Sequence, residues 1–351
     1  MTGSAAPLLD IRDLRVRFPG DTGPVAAVDG IDLAIGEGET VAVVGESGSG
    51  KSTLGRAVLG LVPRPPAAIE AARFAYKGID LLGLSEARLR RIRGAEISMI
   101  FQEPMVSLDP LMTVGRQITE ALEAHRDLRG RAARKEAIDL LRQVGIPHPE
   151  SRIDEHPHAF SGGMRQRVMI AIAIACRPRL LIADEPTTAL DVTVQAQILD
   201  LLARLNDEHR MAIVLITHNL GIVPWLCERT MVMYAGRAVE FGATRQVLKH
   251  PAHPYTAGLL RALPRPDQDP DTPLYALEGR PPRPGEVLPG CRFAPRCALA
   301  DADCLAREPV LEATAGGSAA ACLKAERPTD AATRGATRGA AGSEGSEAAW
   351  G

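Results

Sequence analysis

Two shortages in this 351-residue sequence exclude whole classes of function. Aromatic residues make up only 3% of the chain, which argues against a stacking platform for single-stranded nucleic acid. Neither sign of charge is in excess, because 41 Lys and Arg stand against 43 Asp and Glu, whereas a protein that coats DNA needs a basic excess to neutralise phosphates. We therefore expect no nucleic-acid partner.

Long apolar runs are also missing. The longest, residues 168–176, has nine residues, about half the length that a membrane-spanning helix needs. Residues 1–10 lack the basic stretch followed by an apolar one that is typical of a signal peptide. We expect a chain that stays in the cytoplasm and reaches a membrane only through its partners.

Strand and helix patterns alternate along most of the chain, which favours an α/β fold with a mostly parallel sheet. Apolar or alternating runs predict strands at 8–18, 25–35, 41–44, 97–101, 180–183 and 213–216. Helical patterns cover 53–61, 84–94, 113–144, 161–176 and 192–208.

A glycine-rich segment follows the strand at 41–44 and matches the phosphate-binding loop (P-loop) pattern G-x-x-x-x-G-K-[ST]. Glycines let backbone N–H groups approach phosphate oxygens, and the start of the next helix adds positive potential. By the roles in this motif, Lys51 bridges the β- and γ-phosphates and Ser52 ligates Mg²⁺. The predicted nucleotide-binding residues are Gly45, Glu46, Ser47, Gly48, Ser49, Gly50, Lys51, Ser52 and Thr53.

Two carboxylates, Asp184 and Glu185, end the apolar strand at 180–183. Alone, such a pair is usually a cap or a solvated turn, but beside a P-loop it predicts that Asp184 holds the Mg²⁺ shell and Glu185 polarises the attacking water. His218 follows the strand at 213–216 and is predicted to contact the γ-phosphate, although a lone histidine there is more often structural.

A second anion site is predicted at the start of a long helix, where Ser161 is followed by Gly162 and Gly163. Two glycines behind a capping serine leave backbone N–H groups bare at the positive end of the helix. One nucleotide does not need two phosphate cradles from one chain, so we expect this turn to serve the nucleotide of a neighbouring subunit. The alternative is a simple helix cap.

These motifs, in this order, resemble those of the ATP-binding subunits of ABC transporters over about residues 8–323. The resemblance implies a P-loop NTPase cassette with a RecA-like core, an antiparallel β subdomain and a helical signature subdomain. It also implies that Gln102 lies in the family's Q-loop, where it helps to ligate Mg²⁺ and acts in catalysis beside Glu185 and His218.

Further roles follow from the same resemblance. Phe18 stands where the family places an aromatic ring that stacks on adenine, with packing in the core as the alternative. The family's signature and D-loop motifs, which lie at the partner's ATP, correspond to Ser161, Gly162, Gly163 and Gln166 and to Ala189, Leu190 and Asp191.

Four segments resemble those of oligopeptide and dipeptide importers and so indicate a subfamily of ABC transporters. They are residues 101–110, 158–160, 251–256 and 289–297. Nickel and glutathione importers share this build. Residues 316–321 depart from it, since relatives often carry a histidine and bulkier residues there. The implied organisation is a cassette at 8–250 with its helical subdomain at about 103–165, an extension with four cysteines at 251–323, and a disordered tail at 324–351.

The clustered cysteines Cys291, Cys297, Cys304 and Cys322 have the spacing C-x5-C-x6-C-x17-C. Zinc sites usually contain a close C-x2–4-C pair, which is missing here. Four thiolates at wider spacing favour a [4Fe–4S] cluster, which some family members resemble in this region. Zinc and four unligated thiols remain alternatives.

The predicted function is ATP hydrolysis that powers import of dipeptides or oligopeptides, with nickel, glutathione or another small solute as the alternative cargo. The implied partners are a second ATPase subunit, expected to be a paralogue, two transmembrane permease subunits and an extracytoplasmic solute-binding protein. The implied location is the cytoplasmic face of a bacterial inner membrane, as a peripheral protein.

Three rival functions are less well supported. A DNA-repair or chromosomal ABC protein would need a long heptad or zinc-binding insertion, and a translation-linked one carries two cassettes. A scaffold that holds ATP without hydrolysing it would not need Glu185 and His218.

Overall fold

The computed structural model describes residues 6–21, 23–188, 190–264, 275–283, 285–286 and 288–326. The strands within these ranges are β1 (Leu9–Phe18), β2 (Val25–Ile35), β3 (Thr40–Val44), β4 (Ala68–Glu70), β5 (Arg73–Tyr76), β6 (Ile79–Asp80), β7 (Ile97–Ile100), β8 (Leu180–Asp184), β9 (Ala212–Thr217), β10 (Arg229–Tyr234), β11 (Arg237–Ala243), β12 (Glu312–Ala313) and β13 (Ala319–Ala320).

The helices in the same ranges are α1 (Lys51–Val58), α2 (Glu86–Ile92), α3 (Pro104–Ser107), α4 (Val114–His125), α5 (Gly130–Gln143), α6 (Pro149–Arg152), α7 (Gly162–Ile174), α8 (Val192–His209), α9 (Val223–Leu226), α10 (Thr244–Lys249), α11 (Pro254–Arg261) and α12 (Ala302–Ala306). Single 3₁₀ turns lie at Pro157–Ala159, Leu220–Ile222 and Ala294–Arg296.

The central sheet has the strand order β12-β13-β11-β10-β3-β9-β8-β7. Its strands from β10 to β7 pair in parallel, which confirms the prediction of a mostly parallel sheet. Every residue of β3, β8 and β9 is buried. Such strands are covered on both faces, which explains their uninterrupted apolar sequences.

A second, antiparallel sheet has the order β2-β1-β5-β6, with β4 paired to β1. Its apolar side shares one core with α1 and with the facing residues of the central sheet. Strands β4 and β6 are short and mostly exposed, so they carry no apolar alternation that the sequence could reveal.

Helices α3 to α7 form the helical part of the cassette, and α4, α5 and α7 share a core with α8 and the other face of the central sheet. The helical pattern at 113–144 corresponds to two helices, because the chain turns at 126–129, where Asp127 has a positive φ of 50°. The Thr113 hydroxyl caps α4 by accepting the N–H of Arg116.

The C-terminal extension, expected from the resemblance as a small cysteine-containing module, packs directly on the cassette. Strand β13 pairs with β11 in the central sheet, and Phe293 shares a core with Tyr234 and Tyr255. The fully buried carboxylate of Glu240 in β11 accepts hydrogen bonds from three groups of the extension, the N–H groups of Ala252 and His253 and the hydroxyl of Ser318.

The described chain continues to Glu326, whose carbonyl accepts the N–H of Ala315 at 2.9 Å. The rest of the tail predicted for 324–351 lies outside the described residues. Within the described ranges, no helix is both long enough and apolar enough to span a bilayer.

Candidate nucleotide site

The P-loop joins β3 to α1 and packs closely against strands β10 and β2. A Cβ on Gly45 would lie 2.1 Å from the carbonyl oxygen of Met233 in β10, and one on Gly50 would lie 2.1 Å from that of Ala27 in β2. Gly50 also has a φ of +100°. Only glycine fits at these two positions.

The Lys51 ammonium group lies across the loop. Its Nζ donates to the carbonyl oxygens of Gly45 at 2.7 Å and Glu46 at 2.8 Å, and the residue is only 5% exposed. Burial lowers the pKa of Lys51, and the nearby carboxylates of Glu185 and Asp184 oppose that shift. The loop therefore holds a buried positive charge where the motif requires one for phosphate.

Ser52 and Asp184 meet at the beginning of α1. The Ser52 hydroxyl donates to Asp184 Oδ1 at 2.9 Å, and Asp184 is 1% exposed. Burial raises the pKa of Asp184, against the opposing effect of the Ser52 hydrogen bond. A hydroxyl and a carboxylate oxygen are ligands that Mg²⁺ accepts, so this pair fits the predicted metal.

The carboxylate of Glu185 contacts the remaining candidate catalytic groups. Its carboxylate lies 3.0 Å from Nδ1 of His218, and it accepts from Nε2 of Gln102 at 3.4 Å and from the Thr188 hydroxyl at 2.7 Å. Burial raises the pKa of Glu185, but the hydrogen bonds from Thr188 and His218, together with the charge of Lys51, outweigh it and lower the pKa. Glu185 is thus kept ionised, as a base must be.

Sequence reasoning missed Thr188, whose only signal is its position three residues after Glu185 in a turn. The turn needs an unusual backbone, because Glu185 has a φ of +49° while its N–H donates to the carbonyl of Ile216 in β9. Backbone conformations of this kind persist where the surrounding contacts impose them, and they cluster at functional sites.

The Ser161 turn has one exposed and one packed glycine. The Ser161 hydroxyl caps α7 by accepting the N–H of Met164 at 3.3 Å, and Ser161 and Gly162 are exposed. A Cβ on Gly163 would lie 2.8 Å from Cγ1 of Val194 in α8, whereas one on Gly162 would meet only an ordinary contact at 3.9 Å. Packing within this chain therefore requires Gly163 but not Gly162.

The other predicted residues lie in varied surroundings. Gln166 is 3% exposed, and its Nε2 has no hydrogen-bond partner among the residues that the structure describes. Asp191 caps α8 by accepting the N–H of Val194, while Ala189 lies outside the described residues. Phe18 is half-buried at the end of β1, against the core beneath the antiparallel sheet.

An apolar groove of about 340 Å³ lies beside Gln102, because its wall includes Phe101, the preceding residue. It lies between the central sheet and α7 and is lined by Leu61, Phe101, Leu108 and Met169, among other residues. Val106 and Leu111, in the segment that follows Gln102, are 79% and 86% exposed. Large exposed apolar side chains around a groove indicate a surface that binds another protein.

The four clustered cysteines line one small cavity of about 20 Å³ beside His253. Burial raises the pKa of the Cys291 and Cys297 thiols, and none of the chain's six cysteines, all of them in described ranges, forms a disulfide. Across the described residues, however, no group of three or more potential ligands is already arranged to hold a metal ion. The four thiols therefore line one cavity, but they are not arranged as the ligands of a metal site.

Family models match two parts of the chain. The model described as "ABC transporter" matches residues 28–188, and the one described as "Oligopeptide/dipeptide transporter, C-terminal region" matches residues 239–304. The second match overlaps the extension and three of its four cysteines.

Full-length relatives are similar over most of the chain. A putative peptide import ATP-binding protein of Brucella abortus is 51% identical over 317 residues, covering 90% of this chain and 95% of the relative. The dipeptide transport ATP-binding protein DppD of Escherichia coli is 49% identical, covering 90% and 96%. The oligopeptide transport ATP-binding protein AppD of Bacillus subtilis is 46% identical with the same coverage.

Solved structures support the cassette fold. An ATP-binding cassette solved as a dimer in a post-hydrolysis state with ADP and Pi has a TM-score of 0.60 at 28% identity, covering 68% of this chain and 99% of that one. CbiO1 of Clostridium perfringens, part of an ABC transporter complex, has a TM-score of 0.59 at 28% identity, covering 70% and 92%.

The two glycines of the Ser161 turn should respond differently to alanine. Gly163→Ala forces a Cβ against Val194 and should lower the free energy of unfolding by about 1–3 kcal/mol. Gly162→Ala has room for its Cβ and should change stability by no more than about 1 kcal/mol. Urea unfolding of the two variants beside the unsubstituted protein measures both, and equal losses would contradict the packing account.

Proposed function

Because this chain belongs to the peptide-import family of ABC transporter ATP-binding proteins, we propose that it hydrolyses ATP to power the import of dipeptides or oligopeptides. The observation that carries the proposal is the gathering of Gln102 and His218 around the carboxylate of Glu185, beside Lys51 and the Ser52–Asp184 pair. The names of the relatives and the match to the oligopeptide/dipeptide C-terminal region support peptides over nickel or glutathione.

In the proposed reaction, Lys51 and the P-loop N–H groups hold the phosphates while Glu185 accepts a proton from the attacking water. Gln102 and His218 orient Glu185 and the water, and Thr188 fixes the rotamer of the carboxylate. Ser52, Asp184 and Gln102 are the residues that would hold Mg²⁺, which neutralises charge on the transferred phosphoryl group when bound. Phe18 would stack on adenine.

A second subunit is part of the proposal, because the Ser161 turn offers bare N–H groups for which this chain's own nucleotide has no need. The exposed Ser161 and Gly162, together with Asp191 and the 82%-exposed Val192, would meet the partner's ATP and its P-loop. Gly163 and the buried Gln166 would support this face from behind. A paralogue is the expected partner.

The groove beside Gln102 is the proposed contact with the membrane subunits. One of the two permeases would insert an apolar segment into this groove, and the other would contact the partner ATPase subunit. A movement of Gln102 during hydrolysis would then change the shape of the groove. A solute-binding protein outside the cell would deliver the peptide. Such contacts would hold this chain at the cytoplasmic face of a bacterial inner membrane.

The four cysteines are proposed to hold a [4Fe–4S] cluster. Convergence of four thiols on one cavity supports a four-thiolate site. A cavity of about 20 Å³ has space for roughly one water-sized sphere, so the walls would have to open for a cluster more than for a single zinc ion. Because burial raises the pKa of Cys291 and Cys297, binding of either metal would release protons.

Glu185→Gln tests the central chemistry. The variant should bind ATP normally and lose hydrolysis by about 10²- to 10⁴-fold, because it lacks the base. Lys51→Ala should instead lose ATP binding. In membrane vesicles that contain this chain with its co-purified permeases and binding protein, uptake of a labelled dipeptide should fall with hydrolysis. Undiminished hydrolysis in Glu185→Gln would contradict the assigned role, and uptake of nickel or glutathione in place of the peptide would identify a different cargo.

Anaerobic purification tests the cysteines. The protein should be brown, with broad visible absorption that bleaches in air, and should contain iron and sulfide. Cys297→Ser should remove the colour, while Cys176→Ser, which changes a cysteine outside the cavity, should not. A colourless protein with stoichiometric zinc would establish a structural zinc site instead, and one without metal would leave four plain thiols.

A further inference from the structure

An ion pair joins the C-terminal extension to the P-loop. Arg296, on the turn before Cys297, donates through Nη1 to Glu46 Oε2 at 2.7 Å and through Nη2 to Glu46 Oε1 at 3.1 Å. The Arg296 side chain is 4% exposed and that of Glu46 is 27% exposed. A two-point, largely buried arginine–carboxylate pair fixes geometry as well as charge.

Every polar group of Glu46 is engaged in holding the loop. Its carbonyl accepts from Nζ of Lys51 at 2.8 Å, and its N–H donates to the hydroxyl of Tyr255 at 2.9 Å. Tyr255 is fully buried in α11, which belongs to the extension. The extension therefore forms hydrogen bonds with both the backbone and the side chain of Glu46, whose carbonyl also accepts from Lys51.

The charges of Arg296 and Glu46 affect how the loop can bind a ligand. Glu46 adds a negative charge to a loop that must accept polyphosphate, and its charge already acts on Lys51. Without a partner, that carboxylate would repel the phosphates and compete for the Lys51 ammonium group. Arg296 supplies the neutralising charge from outside the P-loop motif.

We propose that Arg296 is a positioning residue of the nucleotide site, which neutralises Glu46 and fixes the first half of the P-loop so that ATP binds tightly. The proposal rests on the proposed binding of ATP at Lys51 and adds that the extension takes part in it. Hydrolysis itself, which needs Glu185, should be little affected once ATP is bound.

A purely structural role for Arg296 is the competing account. The same guanidinium group donates to the carbonyl of Glu278 at 3.0 Å and to the hydroxyl of Tyr234 in β10 at 3.3 Å, so its loss also removes a contact within the extension and one to the cassette. Removing the charge of Glu46 cannot restore those contacts. Rescue by a second substitution at Glu46 therefore separates the two roles.

The experiment measures Mg-ATP affinity of the full-length chain by calorimetry, and KM and kcat in the assembled transporter. Arg296→Gln should weaken ATP binding about tenfold and raise KM with kcat nearly unchanged. Arg296→Gln combined with Glu46→Gln should recover affinity to within about threefold of the unsubstituted chain, because no unpaired carboxylate remains. Unchanged affinity in Arg296→Gln, or no recovery in the double variant, overturns the proposal.

Two controls complete the design. Arg292→Gln removes ion pairs of the same extension with Asp29 and Glu308, and it should leave ATP affinity unchanged. Equal weakening in Arg292→Gln would show a general effect of loosening the extension and overturn the proposal. If Arg296→Gln fails to fold, Arg296→Lys keeps a positive charge beside Glu46 but loses the two-point pair. It should weaken ATP binding about threefold, so unchanged affinity there also overturns the proposal. Failure of the unsubstituted chain to bind ATP contradicts the proposed function itself.

Discussion

Parallel pairing of β3, β9, β8 and β7 in a fixed register is the constraint on which the candidate site depends. The carboxyl ends of parallel strands lie at one edge of a sheet, and there Val44 pairs with Thr217, and Asp184 with Ile216. The P-loop, Glu185 and His218 continue from these ends, and Gln102 follows β7. The buried strands thus bring residues from four distant parts of the sequence close enough to form hydrogen bonds with one another.

Groups that follow directly from one strand were predictable, because each motif carries its own local geometry. The P-loop needs glycine for its backbone, and the acidic pair simply ends an apolar strand. The Arg296–Glu46 pair was not predictable, since 250 residues separate its members and neither lies in a periodic pattern. The same reason hid the docking of the extension, whose strands β12 and β13 have two residues each and give no periodic signal.

The two turns proposed to bind phosphate differ in their need for glycine. In the P-loop, Gly45 and Gly50 are required because neighbouring carbonyl oxygens occupy the space of a Cβ. At the Ser161 turn only Gly163 meets such a demand, and Gly162 stays exposed with no packing reason to be glycine. A composite site between two subunits requires N–H groups that are open to the partner's nucleotide. Gly162 leaves such groups open, although the stability of this chain does not require glycine there. Closing and opening of that site would transmit the state of the nucleotide to the groove beside Gln102.

The composite site is the central claim, and a mixed complex of one altered and one unaltered ATPase subunit tests it most directly. Ser161→Arg places a bulky side chain where bare N–H groups must approach the partner's γ-phosphate, while this chain's own Lys51 is untouched. With hydrolysis followed separately at each site, the account predicts that the altered subunit still binds ATP and that hydrolysis stops at the ATP held by its partner. Loss of hydrolysis at the altered subunit's own P-loop, with the partner's site still active, would contradict it.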